Sequence, residues 1–139
     1  MIRVVLDTNI VVSALLQPLG PSGHIFLFAL GNSIQMCVSG GIYAEYEEVI
    51  RRPRLKRSPD IVDAALRAIR ENAFWVRPAI ALNVCTDPDD DIFLECAQAS
   101  QADYLVTGNL RHFPSSWKCT RVVTPRWLLD TLISGTRDK

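Results

Sequence analysis

The chain is short of histidine and has no excess charge. Its 139 residues include two histidines, His24 and His112, and fifteen acidic against fifteen basic side chains. Affinity for phosphates usually comes from a basic surface, so zero net charge argues against a protein that holds nucleic acid by overall attraction. The four cysteines (Cys37, Cys85, Cys96 and Cys119) include no pair at short metal-ligand spacing, and neither histidine lies near one in sequence. That disfavours zinc and leaves buried or half-buried thiols in a reducing compartment. Long apolar runs are missing too. Asp7 interrupts the first one, and Gly31, Asn32, Ser33 and Gln35 break the stretch from His24 to Val38. The expectation is a cytoplasmic protein with no signal peptide and no membrane span. There is no Gly-rich phosphate loop, Ser-His-Asp set or Cys-His set. Nor is there an internal repeat, low-complexity segment or splitting linker, so residues 1–139 read as one domain. With 48% hydrophobic residues it can bury a core of its own.

The order of elements is clear in outline. Ile2 to Leu6 reads as a buried strand and Asn9 to Leu16 as a helix stopped by Pro18 and Gly20. Ser22 is expected to cap a second helix through about Leu30, with Ile34 to Val38 as the next strand. Ser39 caps a helix to about Arg51, ended by Pro53. Ser58-Pro59 opens another, to about Ala73. Phe74 to Val76 is a brief extended piece, and Asp87-Pro88 begins a helix through about Ser100. Tyr104 to Thr107 and Arg121 to Val123 are strands, and Pro125 opens a last helix through Ile133. Strands separated by helices imply parallel strands joined by crossovers: a three-layer α/β fold with four to five strands.

In open sheets of this kind, ligands bind outside the carboxyl ends of the strands. Asp7 stands at that end of the first strand, and Asn109 just past that end of the strand Tyr104 to Thr107. Asp7 can equally cap the helix that follows, a role worth about 1 kcal/mol. Glu45 borders the apolar stripe Ile42, Tyr46, Val49 and Ile50, whereas Glu47 and Glu48 project to solvent. A carboxylate beside a buried face needs a partner, whether a cation or, more plainly, Arg51 or Arg52. In the acidic run, Asp90 lies on the inward face defined by Phe93, Ala97 and Ser100. Asp89 is a plausible alternative, Asp91 is expected to point away, and Asp87 reads as the cap. Four acids in five residues exceed what capping requires.

Two carboxylates about 4 Å apart repel by roughly 4 kcal/mol at an effective dielectric near 20. Several facing one crevice are costly without a cation. Oxygen-only ligands suit a hard ion, Mg²⁺ or Mn²⁺, and such a site can activate water and hold phosphate oxygens.

Four segments then resemble the PIN domain family, in order and across nearly the whole chain. They are Val5-Leu6-Asp7-Thr8-Asn9; Ala44-Glu45-Tyr46-Glu47-Glu48-Val49-Ile50 followed by Arg52-Pro53-Arg54-Leu55; Asp87-Pro88-Asp89-Asp90-Asp91 with Phe93-Leu94 and Ala97; and Ala102 to Gly108. The resemblance implies a PIN-like α/β/α sandwich with a central parallel sheet. It also implies a divalent-metal ribonuclease, often the toxin of a bacterial toxin–antitoxin pair of the VapC-like group, commonly a homodimer and restrained by an antitoxin. Its acidic residues map onto Asp7, Glu45 and Asp90, with Thr8, Asn9, Ser39 and Thr107 supporting or orienting them. Many PIN domains carry aspartate where this chain has Asn109, which offers a carbonyl oxygen but no charge and implies a weaker hold on a second metal.

Arg51, Arg52 and Arg54, just past the Glu45 helix, are candidates for RNA phosphates and equally a solvated helix end. Two rival functions remain. A phosphotransferase with aspartate after its first strand lacks support, because Asp7-Thr8-Asn9 has no second aspartate and no catalytic lysine is evident. A non-catalytic RNA- or protein-binding module with a weakened site stays open.

Overall fold

A computed structural model describes residues 1–137. Its centre is β1 (Arg3–Leu6), whose Val4, Val5 and Leu6 are fully buried. A strand so apolar can lie only inside a sheet covered on both faces. The chain continues through α1 (Thr8–Leu16), α2 (Pro21–Leu30), β2 (Gln35–Val38) and α3 (Gly40–Ile50). A 3-10 turn, Pro53–Leu55, leads to α4 (Pro59–Asn72) and β3 (Phe74–Trp75). A second, Pro88–Asp90, leads directly into α5 (Asp91–Ser100), which returns the chain to β4 (Tyr104–Val106). The third, Leu110–His112, precedes a hairpin of β5 (Ser116–Trp117) and β6 (Thr120–Val123), and α6 (Pro125–Arg137) follows.

The sheet order is β3-β2-β1-β4-β6-β5, parallel throughout except for β5, which runs antiparallel to β6. From β1 the chain steps outward to β2 and β3, then returns past β1 to β4. Right-handed crossovers put the helices of the outward steps on one face and α5 on the other. The packing agrees: α2 touches α1, α4 and α6, whereas α5 lies over β1, β2 and β4. The fold is the expected three-layer α/β/α sandwich, with six strands rather than four to five. The additional ones are two-residue edge strands.

Local chemistry sets most boundaries. Ser39 and Ser58 cap α3 and α4 through the amides of Ile42 and Ile61, each at 3.3 Å. The second helix starts earlier than expected: Gly20, not Ser22, is its N-cap, because Pro21 at the first position is already locked in helical φ. Helices α1 and α2 meet at 105°, and the corner is tight. A Cβ on Gly23 would stand 2.1 Å from the Pro18 carbonyl oxygen, so only glycine fits there. Among the described residues no single helix is long and apolar enough to cross a membrane.

Asp91 corrects the sequence reading most clearly. Expected to point away, it is only 4% exposed, and its Oδ1 accepts the backbone N–H groups of Val84 and Cys85 at 3.1 and 2.8 Å. Pro88–Asp90 form a 3-10 turn, not the first turn of an α-helix, so a wheel of 3.6 residues misplaces the phase at Asp91. Burial opposes its charge, but the two amides and the Cys85 thiol together outweigh burial and hold its pKa below the ordinary value. This carboxylate pins the long loop before α5. Asp91→Ala is expected to lower the unfolding free energy by about 1–3 kcal/mol at pH 7, in a urea titration, by orphaning those donors. Asp91→Asn, which keeps an acceptor oxygen, should lose less. The Asp91→Ala deficit should shrink as pH falls through the depressed native pKa, where the stabilisation disappears. An unchanged midpoint for Asp91→Ala would refute the pinning role.

Candidate functional site

The crevice lies where the topology switches direction, between the carboxyl ends of β1 and β4, a usual place for ligands in such sheets. Asp7 follows β1 and is 6% exposed. It occupies the N-cap position of α1 but makes no capping hydrogen bond of ordinary geometry. Its Oδ2 instead accepts the Thr107 hydroxyl at 2.8 Å, from the end of β4. The same Thr107 oxygen accepts the backbone N–H of Asn109 at 3.0 Å, so one hydroxyl orients the carboxylate and fixes the turn beyond β4. Burial is the largest influence on Asp7 and raises its pKa. Thr107, the nearby amides of Thr8 and Asn9, and the charge of His112 act in the opposite direction.

Helix α3 contributes Glu45, whose Oε2 accepts the buried Thr8 hydroxyl. One residue on, the fully buried Tyr46 donates its phenol hydroxyl to the Leu6 carbonyl. These two links latch α3 to the end of β1, so Glu45 and Asp7 are set by one local arrangement. Ser39 sits at the end of β2 with its hydroxyl occupied as the α3 cap.

The acidic run presents its members differently. Asp87 and Asp89 are exposed, and the Asp87 side chain accepts the Asp89 amide at 3.0 Å. Asp90 turns inward with its side chain 17% exposed, and its buried Oδ2 accepts no hydrogen bond. His112 Nδ1 is 3.7 Å from that oxygen. Burial, then the charges of Asp7 and Asp87, push the Asp90 pKa up to about 6. Glu45 adds to this and His112 opposes it. Asp7, Glu45 and Asp90 therefore share one field.

The oxygen-only donors and the unsatisfied Asp90 Oδ2 fit a hard divalent cation. The ligand set is gathered but not closed: among the described residues no three Asp, Glu, His or Cys side chains converge as a metal-holding group. Asn109 is exposed at the rim, as is Asn9. In the sequence His112 stands out only as one of two histidines, neither of them near a cysteine. Its approach to Asp90 depends on the 3-10 turn Leu110–His112, which no local pattern announced. The arginine run is partly neutralised. Arg51 pairs with Glu47 and Asp63, and Arg52 with Glu48, while Arg54 has no ion pair among the described residues.

The sequence model of the PIN domain matches residues 3–111, from β1 through the turn that carries Arg111. The chain belongs to the PIN domain family. An uncharacterized protein of Methanocaldococcus jannaschii is 31% identical over 111 residues, which cover 78% of this chain and 71% of that protein. A chain of the VapBC2 complex from Rickettsia felis, solved bound to a DNA fragment from their promoter, superposes with a TM-score of 0.57. The match covers 88% of this chain and 98% of that one at 17% identity, a similarity of fold.

Asp90 gives a pH test of the site's electrostatics. Its native pKa of about 6 lies above the ordinary 3.8, so ionising it opposes folding. That penalty is absent below pH 4, grows between pH 4 and 6, and is complete above. In chelator-treated protein, Asp90→Asn is expected to be more stable than wild type at pH 7.5, by about 2–3 kcal/mol at most. The gain should vanish near pH 3.5. Equal stability at pH 7.5, measured by denaturant titration, would refute the shared field.

Proposed function

We propose that this PIN domain is a divalent-metal-dependent endoribonuclease and the toxin of a toxin–antitoxin pair. The observation that carries the reading is the pairing of buried Asp7 with the unsatisfied, inward Oδ2 of Asp90 at the switch point of the sheet. Asp7 and Asp90 would hold Mg²⁺ or Mn²⁺, with Glu45 and the Asn109 carbonyl as further oxygens. An ion held there supplies Lewis-acid activation of water and charge neutralisation of a scissile phosphate. The chain's own residues prepare that chemistry. Thr107 fixes the orientation of Asp7, Thr8 fixes Glu45, and the α3 latch holds the two acids in register. Asp87 and His112 tune the charge of Asp90 in opposite senses.

A protein partner is supported by an apolar groove of about 510 Å³ between α1, α2 and the start of α4. Leu16, Phe26, Leu27 and Ile61 line it, with Arg57 beside them. Its apolar floor and basic rim suit an apolar, acidic antitoxin segment, and homodimer formation is the competing use of the same face. The open ligand set and the neutral Asn109 favour a second reading, a non-catalytic RNA- or protein-binding module.

Cleavage of a mixed RNA panel separates the two. Wild-type protein should cut RNA only with Mg²⁺ or Mn²⁺, and Asp7→Asn or Asp90→Asn should lose at least about a hundredfold in rate. The same ions should raise the wild-type melting temperature and leave both variants unmoved. Cleavage that survives both substitutions would overturn the assignment. Asn109→Asp is expected to tighten Mn²⁺ binding by about tenfold, one added charge at the rim being worth roughly 1.4 kcal/mol. An unchanged calorimetric affinity would remove Asn109 from the ligand set.

A further inference from the structure

The paired arginines after α3 leave open what holds a substrate strand, and the edge of the sheet offers an answer. Phe74 and Trp75 form β3, the outermost strand on one side, and are 39% and 42% exposed. Phe74 and Trp75 put two half-exposed aromatic rings at this edge, with arginines beside them. The Trp75 ring lies 5.4 Å from that of Tyr43 on α3, tilted by 48°. Its indole N–H donates to the Arg70 carbonyl at 3.2 Å, which fixes the ring. Arg70 donates to the Tyr43 hydroxyl, and its guanidinium carbon stands 5.8 Å from the Tyr43 ring centroid. Arg67, one helical turn earlier on α4, is exposed. Neither arginine has an ion pair with a carboxylate among the described residues, unlike Arg51 and Arg52.

The position matters as much as the composition. Val4 pairs with Met36, and Val38 with Trp75, so the register sets Leu6, Val38 and Trp75 side by side. Trp75 is thus level with the residue before Asp7 and two strands away, roughly 10 Å. Between them β2 ends at Val38, and Gly40 and Gly41, which open α3, are exposed and carry no side chain over the rim. A two-residue edge strand has few free backbone groups, which disfavours strand addition as the use of this edge.

We propose that Trp75 and Tyr43 form a stacking platform for a base of single-stranded RNA, with Arg70 and Arg67 neutralising its phosphates. The platform rests on the ribonuclease reading and adds to it: it anchors one nucleotide at the sheet edge so that a neighbouring phosphodiester lies over Asp7. Base–aromatic stacking tolerates any sequence, so the substrate class is unpaired RNA, not a particular motif.

The test uses the full chain in chelator, where binding is read without cleavage. Titration with a mixed-sequence single-stranded oligoribonucleotide should quench part of the tryptophan emission, and Trp75→Leu should abolish that part while Trp117 and Trp127 still emit. Trp75→Leu should weaken binding by about tenfold, and Trp75→Phe should recover most of it. Arg70→Gln should flatten the salt dependence. With Mg²⁺, the Trp75→Leu effect should appear in KM, with kcat within about twofold. Trp75→Leu loses the Tyr43 contact and the bond to the Arg70 carbonyl, so affinities are compared at a temperature well below the melting transition of both proteins. Unchanged affinity in Trp75→Leu, or equal quenching by duplex RNA, would overturn the platform. Cleavage alongside either result would leave the nuclease reading standing, and stacking without cleavage would sustain the platform and remove the nuclease.

Discussion

A carboxylate buried at the end of the central strand is the constraint around which this PIN domain is organised. Water is excluded from Asp7 by the same apolar packing that makes β1 the middle of the sheet, and that exclusion raises the cost of its charge. The Thr107 hydroxyl from the neighbouring strand lowers this cost without removing it. Asp90 and Glu45 then add charge of the same sign to the same crevice. The fold tolerates this charge because the surrounding sandwich is well packed and because α3 is tied to β1 through Tyr46.

Most of the fold could be read from the sequence because it is locally determined. The serines before α3 and α4, the proline that opens α4 and the short apolar strands carry their own instructions, and the structure follows them. The failures share a different cause. Lys118 takes a left-handed φ of 54° in the β5–β6 turn, where glycine or asparagine would have advertised a hairpin. Asp91 was misplaced because the turn before it winds more tightly than an α-helix. The acids of the candidate site could be picked out from strand ends and helix faces. Thr8 and Thr107 could be named as supporting residues only through the family resemblance, and which acid each one holds could not be read, because Thr107 reaches Asp7, and Thr8 reaches Glu45, across elements distant in sequence.

Zero net charge turns out to be a statement about distribution. Acidic groups collect in the crevice, while Arg51 and Arg52 are matched by Glu47, Glu48 and Asp63 at the surface. Such exposed pairs contribute little stability. Their effect is on the electric field: they quiet one basic stretch and leave Arg54, Arg67 and Arg70 as cations without a carboxylate partner among the described residues. An attractive path for an anion can then lie beside a repulsive pocket on a neutral molecule.

The bond between Thr107 and Asp7 spans one hundred residues of chain, as does the bond from the Arg3 amide to the Asp103 carboxylate. The first strand synthesised therefore waits for a late one. Until β4 is in place, Asp7 has neither its hydroxyl partner nor the turn carrying His112. The acid cluster comes into being only when this long-range closure occurs, a slow step for a parallel sheet. A chain lacking β4 has no Thr107 to orient Asp7 and no following turn to bring His112 towards Asp90, so the acid cluster is a product of the completed fold.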